Sequence, residues 1–354
     1  MSWNSARFLP GCLDSLAAQT HPPHEIIVVD NGSVDGSVEI VRSRERSGVR
    51  LIALGRNAGF CAANNEGFAS ASGDAVLFLN PDVELEPEFL DRALAPFASD
   101  ERIGSVAGKL LRFDGATVDS AGQCLARSRR IVERGYGRRD TGQFEEAGYV
   151  FSVCGAAALY RRETIEDLLV GGELFDPDFF AFSEDLDLGW RARNAGWRAY
   201  YEPRAIGRHF RGGSGAPVGF LSSRAAILRR GASVRCHILK NRYLTLIKND
   251  RPSHLLRDLP FVAARESALL GVALVSGPAV WAGLARSLPL VTRAMARRRL
   301  GLATVGRWGP RRTGVPLGWT GERLLREDPG GKKSATVQAD GSSAGKPARR
   351  GSDA

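Results

Sequence analysis

The chain has 354 residues and a mass of 38.2 kDa, the size of two domains or of one large domain with an appendage. With 43% hydrophobic and 25% charged residues it is neither wholly disordered nor collagen-like. The net charge of +10 is unevenly spread: residues 1–210 hold 23 Lys+Arg against 31 Asp+Glu, and residues 211–354 hold 26 against 8. The basicity therefore belongs to the C-terminal part, and the acidic part must be read separately.

Ser2-Trp3-Asn4 leads directly into a helical pattern over Ala6–Gln19, although an alternating sheet normally opens on a strand. The expectation is a sheet lacking its first strand, or a start codon placed too late, with a strand-length apolar segment encoded upstream of Met1. Glu25–Asp30, Arg50–Leu54 and Ala75–Leu79 then read as strands, rich in branched residues and closed by turn chemistry. Helical patterns at Gly36–Arg46, Phe60–Ala71 and Glu88–Ala98 separate and follow them. This alternation predicts an α/β fold with a parallel sheet covered on both faces, whose ligands bind beyond the carboxyl ends of the strands. Those ends carry Asp30-Asn31-Gly32-Ser33, Arg56-Asn57 and Asn80-Pro81-Asp82.

Beyond residue 100 the pattern is mixed. Strands are expected at Gly104–Leu111, Val150–Tyr160 and Arg198–Tyr201, and helices at Thr164–Leu169 and Asp185–Ala195. From about Phe220 the chain reads as helical, over Arg224–Lys248 and again over 254–300. After Arg326 its Gly, Ser, Lys and Ala content predicts a disordered tail. Within the helical region Ser267–Ala285 runs 19 residues without a charge, bracketed by Arg265 and Arg286 and interrupted by Gly277-Pro278. A buried helix pair, a membrane span and a hairpin lying in the bilayer interface all fit; the interfacial hairpin fits best. Five scattered cysteines without a CxxC pair argue against a disulfide framework or a zinc site and for a reducing cytosol. Met1–Pro10 shows neither the basic nor the apolar stretch of a secretion signal.

Four segments carry chemistry. In Val28–Ser37, Asp30 at a strand end can accept hydrogen bonds from a planar base or a ribose; alternatively Asp30 and Asn31 form an Asx turn and Ser33 caps a helix. In Arg56–Phe68, Asn57 and the free amides near Gly59 can bind a phosphate or base, or merely cap the helix. Asn64 and Asn65 are costly inside a helix, which favours a polar contact there. In Phe78–Pro87, Asn80 and Asp82 leave a strand on one side at i and i+2, an oxygen pair suited to Mg²⁺ or Mn²⁺ or else an ordinary turn. In Phe179–His209, Glu184, Asp185 and Asp187 crowd a helix start after an aromatic run. The helix dipole alone favours them there, yet beside apolar rings they would supply a general base. His209 reads as structural or as a ligand.

In this order and spacing the segments resemble family 2 glycosyltransferases of the GT-A fold, and more narrowly their bacterial rhamnosyltransferase-like branch. That branch shows DNGSxDGS, NxGFxxANNEG, LNPD, an aromatic run before EDxDLxxR, and a downstream HxxGxS, here His209-Phe210-Arg211-Gly212-Gly213-Ser214 and one residue longer. Val118-Asp119-Ser120-Ala121-Gly122 also matches. No QxxRW follows Glu184-Asp185, which speaks against a processive polysaccharide synthase.

The resemblance implies a GT-A domain over 1–215 with a mixed doubly wound sheet, a basic and apolar helical region over 216–325 able to meet a membrane, and the tail over 326–354. It implies that Asp30 binds the uracil or thymine of a sugar nucleotide, with Asn31, Ser33, Asn57 and Asn64 lining the nucleotide pocket. Asp82 would hold Mg²⁺ or Mn²⁺ on the diphosphate, with Asn80 where many relatives have an aspartate and His209 as a further ligand. Asp185 would be the base and Glu184 would hold the acceptor or position that base. The expected activity is inverting transfer of a sugar, dTDP-rhamnose being the expected donor, to a lipid-linked or surface glycan at the cytoplasmic face of an anionic membrane. The competing classes are a non-catalytic nucleotide- or glycan-binding remnant, a sugar nucleotidyltransferase and a nucleic-acid enzyme. The last lacks any groove-reading motif, so no nucleic-acid partner is expected.

Overall fold

The structure, a computed structural model, describes residues 1–211 and 227–303. The predicted alternation is present: α1 (Leu9–Ala17), β1 (Ile26–Asp30), α2 (Ser37–Ser43), β2 (Val49–Ala53), α3 (Phe60–Ala69), β3 (Ala75–Leu79), β4 (Val83–Leu85), α4 (Phe89–Leu94) and α5 (Pro96–Ser99). There follow β5 (Ile103–Arg112), β6 (Val118–Ser120), β7 (Gln123–Leu125), β8 (Ile131–Glu133), β9 (Gly148–Val150), β10 (Ala157–Arg161), α6 (Arg162–Leu168), α7 (Glu184–Asn194) and β11 (Arg198–His209). The C-terminal helices are α8 (Ala232–Asn249), α9 (Pro252–Arg257), α10 (Leu259–Leu274), α11 (Pro278–Arg286) and α12 (Pro289–Ala303).

The sheet is mixed rather than parallel. β1 and β2 pair in parallel as a separate two-stranded unit, and the larger sheet runs β3-β10-β5-β11-β4. Within it β10 is antiparallel to both β3 and β5, and only β5 and β11 run parallel. The alternation of the first three strands with helices could not reveal that β10, from 78 residues further along the chain than β3's end, would return antiparallel beside β3. Between β1 and β3 lies an apolar cavity of about 420 Å³, walled by Ile26–Val29 on one side and Ala75–Leu79 on the other. Ser2 lies beside the end of β1. It bridges Asp30 in parallel, donating from its N–H to Val29 O and accepting from Asn31 N–H, each at 2.8 Å.

Val150–Tyr160, expected as one strand, is two. After β9 the chain leaves the sheet, passes beneath α7 as Phe151–Ala156, and re-enters as β10. The crossing is close because Gly189 has no side chain: a Cβ there would lie 2.2 Å from Ser152 Cβ. The principal core gathers Phe78, Tyr160, Phe175, Phe179, Trp197 and Tyr201 and includes Leu244 of α8 and Ala294 of α12. The C-terminal helices are thus built into the same core as the sheet. Ser267–Ala285 is broken where Gly277-Pro278 interrupts it, α10 and α11 meeting at a bend of 119°. No single described helix is long and apolar enough to cross a membrane. Gly212–Ser214 and the tail over 326–354 lie outside the described residues.

Candidate active site

At the carboxyl end of β1, Asp30 is 2% exposed. Its Oδ2 accepts from the amides of Gly32 at 3.1 Å and Ser33 at 3.0 Å, which is the Asx turn. Its Oδ1 is buried and has no hydrogen-bond partner. The turn therefore uses one oxygen and leaves the other, and an unmet buried acceptor costs about 1–3 kcal/mol until a ligand donates to it. Asn31 and Asn57 lock two strand-end loops together, Asn31 Nδ2 donating to Asn57 Oδ1 at 3.0 Å and Ala58 N–H donating to Asn31 Oδ1 at 2.8 Å. Ser33 does not cap α2: its hydroxyl accepts from Asn4 N–H at 2.9 Å, and the amide of Ser37 is met by Asp35 instead. Asn64 stands apart from this cluster. It donates back to Phe60 O within α3 and lines the cavity between β1 and β3. Its neighbour Asn65 makes the long-range polar contact, exchanging two hydrogen bonds with the backbone of Phe175 at 2.8 and 2.9 Å.

At the end of β3 the chain turns through Asn80-Pro81-Asp82 and pairs β4 against the end of β11, which delivers His209 to Asp82. His209 Nε2 lies 3.4 Å from Asp82 Oδ1, while Nδ1 is 2.8 Å from Asp119 Oδ2. Burial alone would depress the imidazole, but hydrogen bonds and charge from Asp119 and Asp82 outweigh it and raise the pKa to about 9. Asp119, fully buried, also pairs with Arg211 Nε at 2.9 Å. Asp82 offers a carboxylate oxygen to a divalent cation, and the His209 ring, protonated on both nitrogens below about pH 9, can ligate one only on giving up its Nε2 proton, while Asp119 fixes the ring. Among the described residues no three His, Cys, Asp or Glu side chains gather into a cation cage of their own.

The opposite wall is the start of α7. Asp185 Oδ2 accepts from Gln123 Nε2 at 2.7 Å and from Gly155 N–H at 3.3 Å, and Oδ1 accepts from Leu186 N–H at 2.8 Å. Glu184 is different. Burial first, then the neighbouring charge of Asp185, pushes its pKa up to about 8, and its Oε2 is buried without a partner. Asp187 turns away from the cleft: it pairs with Lys248 at 2.8 Å and Arg191 at 3.0 Å, which hold its carboxyl below the usual range against the effect of burial. Of the three acids expected at this helix start, Asp185 is held by Gln123 and Gly155, Glu184 is buried beside it, and Asp187 anchors α8.

Four residues with no role assigned from sequence join the two walls. Arg211, paired with Asp119, approaches Glu133 Oε1 at 4.0 Å; Gln123 Nε2 donates to Glu133 Oε1 at 2.9 Å and also to Asp185. The result is a continuous run of polar contacts from Asp82 through His209, Asp119, Arg211, Glu133 and Gln123 to Asp185. Burial raises the pKa of Glu133 despite the pull of Arg211. The match at Val118–Gly122 contained Asp119 and stopped one residue short of Gln123. Glu133 had no local signal, because only the β7–β8 hairpin brings it there; Arg211 lay inside the matched His209–Ser214 segment but was given no role of its own.

Residues 1–169 match the Glycosyl transferase family 2 profile. An N-acetylglucosaminyl-diphospho-decaprenol L-rhamnosyltransferase of Mycobacterium tuberculosis is 31% identical over 216 residues, covering 54% of this chain and 68% of that protein. A poly-β-1,6-N-acetyl-D-glucosamine synthase of Staphylococcus aureus is 24% identical over 58% of this chain and 47% of its own length. Among solved structures, the mannosyltransferase PcManGT of Pyrobaculum calidifontis with GDP-Man and Mn²⁺ aligns over 86% of this chain and 83% of its own at 18% identity, with a TM-score of 0.49. S. aureus TarS 1–349 with UDP aligns over 86% and 88% at 19% identity, with a TM-score of 0.46. The chain belongs to glycosyltransferase family 2 and is a rhamnosyltransferase-like, nucleotide-sugar-dependent transferase of the GT-A fold.

Proposed function

We propose that the protein transfers rhamnose from dTDP-rhamnose to a lipid-linked glycan at the cytoplasmic surface of the cell membrane, with inversion at the anomeric carbon. The observation that supports the catalytic part is the single polar run that connects Asp82 with Asp185. The sugar and acceptor are supported by the 31% identical relative, whose name specifies both.

Asp30 presents Oδ1 to an N–H of the base or a ribose hydroxyl. Asp82 and His209, with Asn80 beside them, would hold Mg²⁺ or Mn²⁺, which when bound supplies the positive charge that makes a nucleoside diphosphate a good leaving group. Asp185, fixed by Gln123 and Gly155, takes the proton of the acceptor hydroxyl as it attacks. Glu184 below pH 8 retains its proton and can donate a hydrogen bond to the acceptor. With one base and no second nucleophile, the displacement occurs once. The membrane part rests on α10 and α11, which bury one face in the protein (Leu269, Ala273, Val280) and leave another apolar face outside, Leu274 being 65% and Val275 67% exposed. In sequence Arg265 and Arg286 bracket the uncharged stretch, and basic residues near an anionic leaflet attract its headgroups.

The test is a donor screen: purified protein, Mg²⁺ or Mn²⁺, a panel of UDP-, GDP- and dTDP-sugars and a polyprenyl-diphosphate-linked N-acetylglucosamine acceptor, read by release of nucleoside diphosphate and by product stereochemistry. Turnover with dTDP-rhamnose well above every other donor is expected. Preference for another sugar would reject the donor, and a retained anomeric configuration would reject the single displacement.

A further inference from the structure

The two cleft acids are presented by an unusual piece of backbone. Of the five residues preceding Glu184, three that carry a Cβ adopt positive φ: Phe180 at 65°, Phe182 at 74° and Ser183 at 69°. Side-chain-bearing residues rarely hold this conformation, and a cluster of them survives only where the surroundings impose it. One contact comes from the nucleotide side. Cys61 N–H donates to Phe180 O at 3.2 Å, and Gly59, itself at φ 92°, lies so close that a Cβ would sit 2.6 Å from the Phe180 ring.

The stronger hold comes from α8, which follows the region matched by the family. Asn241 is fully buried, and its Nδ2 donates to three carbonyls of the turn: Phe179 O at 3.1 Å, Ala181 O at 2.8 Å and Phe182 O at 2.6 Å. Lys240 Nζ donates to Asp178 O just before them. One turn and two turns further along the same helix face, Thr245 is buried and Lys248 bonds Asp176 and Asp187, each at 2.8 Å, while Asn249 donates to Asp187 Oδ1 at 2.8 Å. Alpha8 thus buries a mostly polar stripe, and that stripe grips the segment from Asp176 to Asp187 from end to end. Helices that merely fill a core bury apolar side chains.

We propose that Asn241, supported by Lys240, is a positioning residue of the active site: it holds the turn 179–183 in its positive-φ form and so sets where Glu184 and Asp185 present their carboxylates. This rests on Asp185 acting as the base. A helix outside the sheet domain then completes the catalytic wall, and without Asn241 the turn relaxes toward ordinary backbone and carries Asp185 away from the acceptor hydroxyl. A displacement of about 1 Å at a reacting group costs about 10²-fold in rate.

Asn241→Leu keeps the size and removes the donors. Its kcat is expected to fall about 10²-fold, with donor KM and the affinity for the nucleoside diphosphate, measured by calorimetry, within about threefold of wild type. Because glycine adopts positive φ without penalty, adding Ser183→Gly should recover part of the lost kcat. In an Asp185→Asn background Asn241→Leu should add little further loss, since it acts through Asp185. If Asn241→Leu does not fold, Asn241→Ser, which keeps one donor, carries the same comparison with a smaller drop. The inference is overturned if either variant keeps kcat within about threefold of wild type while Asp185→Asn is inactive, or if nucleotide affinity falls in parallel with kcat, or if Ser183→Gly recovers nothing. Full activity of Asp185→Asn would instead reject the base assignment, whatever Asn241 does.

Discussion

Glu184→Gln should make the ligand-free protein's stability respond differently to pH. The carboxyl of Glu184 is driven from an ordinary 4.5 to about 8 by burial and by Asp185. Below pH 4.5 the group is protonated in both folded and unfolded chains, and its titration contributes nothing. As the pH rises from 4.5 to 8 the unfolded chain ionises while the folded one keeps its proton, so the folded state loses ground; above 8 both are ionised and the difference is constant. At 1.36 kcal/mol per pH unit the full loss is about 5 kcal/mol, an upper limit because the cleft relaxes around the new charge. Glutamine copies the protonated carboxyl and does not titrate. Denaturant unfolding of wild type and variant at half-unit steps from pH 4.5 to 8.5 isolates the effect, because Glu133 and Asp187 are common to both proteins. The variant should gain on wild type steadily across this range, by several kcal/mol in total. A stability difference independent of pH would refute the burial of Glu184 as a neutral acid.

Asp185→Asn should keep nucleotide binding and lower turnover by about 10²–10⁴; unchanged turnover would remove it as the base. Asp82→Ala and His209→Ala should each abolish the Mn²⁺-dependent part of dTDP or UDP binding seen by calorimetry, whereas equal affinity of the wild type with and without Mn²⁺ would reject a cation at that pair. Asp187→Ala should leave nucleotide affinity intact but destabilise by about 1–3 kcal/mol, since buried Asn249 loses its acceptor and Lys248 keeps only Asp176. Replacing Leu274 and Val275 with aspartate should reduce sedimentation with anionic liposomes without slowing transfer to a soluble acceptor, and unaltered binding would show that α10 and α11 do not meet the membrane.

The strand ends and the polar residues they carry could be read from the chain alone, because they depend on contiguous residues. EIIVVD followed by NGS reads as a buried strand leaving into a turn, and AVLFL followed by NPD likewise, so Asp30, Asn80 and Asp82 were expected at strand ends, where β1 and β3 place them. The aromatic run followed by Glu184 and Asp185 at a helix start was equally local, as was the break at Gly277-Pro278. What the tertiary structure decided are the relations between segments. Helical periodicity treats Asn64 and Asn65 alike, yet their directions differ by about 100°, and only packing shows that one faces a cavity and the other holds Phe175. Nothing near Asp187 distinguishes it from Asp185 until Lys248 arrives from 61 residues away. Gln123, Glu133 and Arg211 are ordinary surface residue types in sequence; the antiparallel return of β8 on β7 and the length of β11 place them between Asp119 and Asp185. The role of α8 was the least legible, for a pattern of Lys, Asn, Thr and Lys on one face reads as solvent-facing. It is buried because the backbone carbonyls and carboxylates between Asp176 and Asp187 need donors, and a need of that kind is a property of the folded turn.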